Sequence, residues 1–187
     1  MKQIYFDHSA TTPISNDILE HMYKVLKENF GNPSSIHQFG QSSRALIENS
    51  RRQIASAIGA SPKEIFFTGG GSESNNIVIK NILKPGDHLI TSSIEHPAIL
   101  KPAEELQKNG IEVSFIKPDN NGIINLADLI KSIKNNTKLI SIMMVNNELG
   151  TINPIKEFSE FISDKKILLH TDAVQAFGKI SLNVSNL

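Results

Sequence analysis

Ile140-Ser141-Ile142-Met143-Met144-Val145-Asn146-Asn147-Glu148-Leu149-Gly150-Thr151 passes from a nearly unbroken apolar run into a polar turn. Taken over 138–145, the run is too continuous for a strand with one wet face. It predicts a strand buried on both faces, the mark of a parallel sheet covered by helices. Three more apolar runs end in the same way. I-F-F (65–67) leads into T-G-G-G-S-E-S-N-N (68–76), Leu89-Ile90 into T-S-S-I-E-H-P-A (91–98), and I-L-L (167–169) into H-T-D-A-V-Q (170–175). Ligands of open α/β sheets bind at the carboxyl ends of the strands, so four such turns can converge on one anionic, aromatic ligand.

Helical patterns alternate with these runs. A helix over 15–28 is capped by Ser15 and gathers Ile18, Leu19, Met22, Val25 and Leu26 on one face. After a turn at 31–35, a second helix covers 38–58 and Gly59 ends it. A strand at 64–68 and a helix over 72–83 follow. Then come a strand at 88–91, a helix from Pro97 to 108, a strand at 112–116, a helix over 125–135, the strand at 138–145, a helix over 154–163 and a strand at 166–170. Such alternation predicts an α/β fold: a three-layer αβα body with a mostly parallel sheet and right-handed crossovers. No linker, repeat or composition shift marks an internal boundary, so 1–187 reads as one body with an extended segment at 1–13.

Composition excludes several classes. With 39% hydrophobic and 20% charged residues, the 187-residue chain can bury a core. Lys+Arg and Asp+Glu both number 19, which argues against a nucleic-acid or anionic-membrane partner. Cysteine is absent, which removes disulfides, thiolate metal sites and a cysteine nucleophile from these residues. No metal ligand is assigned. No apolar stretch approaches the roughly 20 residues of a membrane helix, and the start M-K-Q-I-Y-F-D-H has no apolar signal region. A cytoplasmic protein is the resulting expectation.

The turns carry the chemistry. Glycines 69–71 let backbone N–H groups approach a ligand, and the following helix adds its positive end and the Ser72 hydroxyl, which suits a phosphate dianion. Ser72 can equally be an ordinary helix cap. His96 can stack on a flat cofactor and titrate near neutral pH, or simply bond at a helix start. Asp172 can pair with a protonated ring nitrogen, as in pyridoxal phosphate (PLP) enzymes, or cap the segment A-V-Q-A-F-G. Gln175 and Asn147 offer side-chain amides in the same region.

Taken together and in order, Y-F-D-H-S-A-T-T-P (5–13), F-G-N-P-S-S-I-H (30–37), F-T-G-G-G-S-E-S-N-N (67–76), E-H-P-A-I-L (95–100), M-V-N-N-E-L-G-T-I-N-P-I (144–155) and H-T-D-A-V-Q-A-F-G-K (170–179) resemble the N-terminal half of a cysteine desulfurase. That family lies in the class V aminotransferase branch of fold type I PLP enzymes. The resemblance implies a part of the PLP-binding large domain, with the remainder of that domain and the small domain outside these residues. It implies that Gly71 and Ser72 hold the phosphate, that His96 stacks on the ring and assists proton transfer, that Asn147 and Gln175 lie near the ring hydroxyl, and that Asp172 meets the pyridine nitrogen. Ser72 stands where many relatives have threonine. The loop 32–37 would lie near the active site and the dimer interface.

The family's Schiff-base lysine, in an S-H-K motif, its sulfur-accepting cysteine and its carboxylate-binding arginine all fall beyond Leu187. The expectation is therefore a truncated product or one half of a split enzyme, inactive alone, with a complementary C-terminal chain or a second copy as partner. The complete enzyme would take L-cysteine and pass sulfur to an acceptor protein. A non-catalytic assembly module, and a selenocysteine lyase or other class V lyase, are the alternatives. Fold type I sheets place two later strands beside the first, so the strand at 64–68 is expected to lack neighbours here.

Overall fold

The computed structural model describes residues 3–187 and divides into two compact units, one ending at Phe66 and one running from Phe67 to Leu187. In the first unit, α1 (Asn16–Glu28) leads to α2 (Gln38–Ile58). The amphipathic pattern of α1 is real, yet within this structure it buries nothing: Leu26 is 76% exposed. His37 caps α2 by accepting the Gly40 N–H at Nδ1 (3.4 Å), and Gly59 ends it at φ 68°, a conformation disfavoured for side-chain-bearing residues. Of the segment 1–13, positions 1 and 2 lie outside the described residues. The rest contains neither strand nor helix, only a turn at 8–10.

The second unit holds α3 (Gly71–Ile82), β1 (His88–Ser92), α4 (Pro97–Lys108), β2 (Glu112–Ile116), α5 (Leu126–Ser132), β3 (Thr137–Ser141), α6 (Ile155–Ile162) and β4 (Leu168–His170). All strand pairings of the sheet are parallel, in the order β2-β1-β3-β4. Alternate side chains of each strand enter opposite layers. Leu89 and Leu139 pack with Ile79 of α3 and with Ile99 and Ala103 of α4; Ile90 and Ile140 pack with Leu129 of α5 and Phe158 of α6. The two central strands, apolar on both faces, thus bind a three-layer α/β unit, as the run at 138–145 predicts. His88 is wholly buried in the sheet, bonded to Thr137 and Ser114 at 2.8 Å each, and burial pushes its pKa down.

Three elements differ most from expectation. The predicted strand at 64–68 does not form: Pro62–Glu64 is a short 3-10 turn and no ladder includes 65–68. The Ile65 carbonyl accepts from the Arg51 guanidinium instead, and Phe66 is 83% exposed. A strand needs a neighbour to take its backbone groups, and none is present among the described residues. The predicted strand 138–145 is regular only to Ser141. Beyond it the chain stays buried and still donates from Ile142 to His170 O (3.1 Å) and from Met144 to Asp172 O (2.9 Å). The intervening Met143 N–H goes not to β1 but to the Glu95 carboxyl. The helix predicted over 125–135 stops at Ser132, because Ile133 is already extended (ψ 132°).

Candidate functional site at the carboxyl end of the sheet

β1 and β3 are adjacent, but their outgoing connections diverge: β1 continues through α4 to β2 on one side, β3 through α6 to β4 on the other. That reversal opens a crevice beyond the carboxyl ends of the two strands, where ligands of doubly wound sheets bind. The turns after β1, β3 and β4, and the first turn of α3, bear all the predicted site residues.

The loop before α3 is held by its own polar groups. Thr68 Oγ1 lies 2.8 Å from Ser74 Oγ, and Glu73 accepts the Gly69 N–H at 2.5 Å. Gly70, not Ser72, caps the helix. Ser72 is the second helical residue and lines a cleft of about 390 Å³ together with Asn76, Lys80, His96 and Lys101. Lys80 is tied to Glu105 (2.8 Å). A Cβ on Gly71 would come 2.8 Å from Val174 Cγ2, so this loop touches the chain after β4 as closely as backbone allows. A Cβ on Gly70 would meet nothing within 4 Å, which leaves that side of the loop open.

Asp172 is 8% exposed. Its Oδ1 accepts the Val174 N–H (3.0 Å) and its Oδ2 accepts from the Asn75 amide (2.7 Å). The capping reading therefore holds: the carboxylate caps the A-V-Q turn, and it also reaches across to α3. Asn75, one turn after Ser72, ties the Gly71-Ser72 corner to Asp172. His96 lies at the mouth of α4, and its Nδ1 accepts the Ala98 N–H at 3.1 Å. In that arrangement a neutral imidazole carries its proton on Nε2. Asn147 is half-buried and donates to Glu148 (3.1 Å); Gln175 Oε1 accepts from Lys179 (2.6 Å). Neither is among the residues lining the Ser72–His96 cleft. The loop 32–37 belongs to the first unit, where Asn32 Oδ1 accepts the Ser34 N–H at 2.9 Å.

Two important residues escape the sequence reading. Asn75 is one. The other is Glu95, 4% exposed, whose carboxyl accepts from Ser92 Oγ (2.6 Å) and from Met143 N–H (3.0 and 3.1 Å to its two oxygens). Burial pushes its pKa up to about 7, against the pull of those two donors, and the nearby Asp172 charge adds to the rise. A glutamate beside a histidine at a strand end is its only local signal. Asn146 is also buried. Its amide reaches Ile94 O (2.8 Å) while its Oδ1 accepts from Glu148 and Leu149, so the first of the paired asparagines builds the turn. His170 bonds Ser141 Oγ through Nδ1 (2.8 Å), and burial pushes its pKa down.

Known proteins resemble this chain along its whole length. The aminotransferase class-V family model matches residues 4–187. A cysteine desulfurase IscS from Dictyoglomus turgidum is 47% identical over 190 residues, covering 100% of this chain and 48% of its own. A mitosomal cysteine desulfurase from Encephalitozoon cuniculi is 42% identical over 193 residues, 100% of this chain and 45% of its own. Among solved structures, a NifS-like protein superposes with a TM-score of 0.94 at 36% identity, over 98% of this chain and 52% of its own. SspA in complex with cysteine gives 0.92 at 39%, over 97% and 54%. The chain spans about half the length of the curated relatives it matches. Among the described residues no helix is long and apolar enough to cross a membrane.

Proposed function

Because the chain belongs to the class-V aminotransferase family, we propose that it is the cofactor-cradling half of a PLP-dependent cysteine desulfurase. Such an enzyme converts L-cysteine to L-alanine and passes the sulfur, through a cysteine of its own, to an acceptor protein for iron–sulfur cluster or thio-cofactor assembly. The observation that carries the proposal is the buried Asp172 carboxylate, bonded by Asn75 to the helix that begins at the Gly71-Ser72 corner. An anion receptor and a buried carboxylate are thereby joined by one side chain, as a ligand with a phosphate at one end and a basic ring nitrogen at the other requires.

The donor set suits PLP. The open face of Gly70, the Ser72 hydroxyl and the first N–H groups of α3 would receive the phosphate dianion. Asp172 is oriented by its two donors and would hold a proton on the ring nitrogen. His96 would lie against the ring, holding or moving one proton at Nε2. Asn147 and Gln175 would donate their amides to the phenolic oxygen. PLP, when bound, supplies the electron sink for chemistry at the substrate α-carbon. In the wider proposal the protein works in the cytoplasm, as a homodimer or with a complementary C-terminal chain.

Residues 1–187 by themselves contain no cysteine, so they are expected to release no persulfide sulfur from L-cysteine above a free-PLP control. Ser72→Ala should weaken phosphate or PLP binding by about 1–3 kcal/mol, the loss of one charge-assisted bond. The deciding experiment is complementation. Residues 1–187 are coexpressed with the C-terminal half of the Dictyoglomus relative, and alanine and sulfide formation from L-cysteine is measured. Activity supports the proposal. Its absence refutes the proposal, provided that the relative's own two halves, split at the same place, are active together.

A further inference from the structure

Glu95 occupies a place that the chemistry above does not use. It follows β1, one residue before His96, and its carboxyl crosses the crevice between β1 and β3 to take the Met143 N–H that regular pairing would have given to β1. Ser92 Oγ holds the same carboxyl from the strand side at 2.6 Å. The Glu95 carboxyl thus bridges Ser92 and Met143 in a buried chain of bonds at the switch point of the sheet. His96, next in the chain, caps α4 through Ala98. The charged group acting on Glu95 is Asp172, from the chain after β4. Asp172 also acts on His170 of β4, whose burial disfavours its cation. A carboxyl so enclosed, 4% exposed, is costly to ionise while its neighbour Asp172 is charged.

We infer that Glu95 is a positioning residue, which locks the His96-bearing turn to the chain end at Met143 and couples the seat of His96 to the charge on Asp172. The inference rests on the assignment of His96 and Asp172 to the cofactor face. When Glu95 holds a proton, it adds no charge beside Asp172. When Glu95 loses that proton, its charge is repelled by that of Asp172, and the Met143 and Ser92 bonds tighten on the charged form. Either change reaches His96 through a single peptide unit.

The test needs no cofactor, so its failure and the failure of the proposed function are separate events. In the labelled chain, the Glu95 carboxyl carbon and the Met143, Ala98 and His96 signals are followed by nuclear magnetic resonance from pH 5 to 9. A shared step near pH 7 is expected in all four. The step should vanish from Met143, Ala98 and His96 in Glu95→Gln. Asp172→Asn should move it to lower pH, and Ser92→Ala, which removes a donor to the charged form, to higher pH. A Glu95 midpoint in the ordinary carboxylate range overturns the inference. So does a Glu95 step confined to Met143 and absent from His96 and Ala98, or a midpoint unmoved in Asp172→Asn. If Glu95→Gln does not fold, the opposed shifts in the other two variants decide.

Discussion

Replacing Glu95 by glutamine should flatten the dependence of folding stability on pH. The folded protein keeps the Glu95 proton up to about pH 7, whereas the unfolded chain gives it up near 4.5. The unfolded state therefore binds fewer protons across that window, and stability falls as pH rises through it. The contribution is fully present below the unfolded value and fully lost above the folded one. Relative to the protonated limit, linkage puts the loss at about 0.8 kcal/mol at pH 5 and about 3.4 kcal/mol at pH 8, a fall of about 2.5 kcal/mol between them. Glutamine has nearly the same shape, keeps an oxygen for Ser92 and Met143, and does not titrate. His88 and His170, with burial-lowered pKa values, act in the opposite sense, gaining stability as pH rises toward 6.5; both proteins share them and they cancel in the comparison. Urea unfolding followed by circular dichroism at pH 5 and pH 8 should give a wild-type change more negative than that of Glu95→Gln by about 2.5 kcal/mol. Changes that agree to within about 0.5 kcal/mol, the scale on which independent effects add, would refute the reasoning.

Three further outcomes follow from the packing. Asn75→Ala leaves Asp172 Oδ2 buried without its 2.7 Å donor and should cost about 1–3 kcal/mol in the same unfolding assay, with a matching loss of PLP affinity. Gly71→Ala drives a methyl to 2.8 Å from Val174 Cγ2 and should cost about 1–3 kcal/mol; Val174→Ala in the same chain should recover most of it, and a failure to recover would mean that backbone strain, not this contact, dominates. Phe158→Ala empties the fully buried centre of the α5/α6 layer and should cost about 3–5 kcal/mol, read as a lowered urea midpoint with unchanged slope.

Local chemistry alone determines much of this protein. The end of α2 and the bounds of α4 are legible because Gly59 closes one and because Pro97 and Asn109-Gly110 bracket the other, and each signal acts within a few residues. The parallel sheet is legible in the unbroken run before Val145, and the cluster of polar turns at its carboxyl end follows from the alternation. The ordered motifs from 5 to 179 carry the family, whose model spans 4–187. Tertiary structure decides the rest, because a strand or a buried charge exists only through its partner. I-F-F at 65–67 has strand composition but finds no ladder. β3 ends early because a carboxylate 48 residues away takes the Met143 amide. Asn75 matters only because folding brings it to Asp172 across 97 residues, and nothing in the composition of either neighbourhood announces that meeting. The same is true of Glu95: its residue type is ordinary, and the burial that keeps its proton near neutrality comes from the sheet that closes over it.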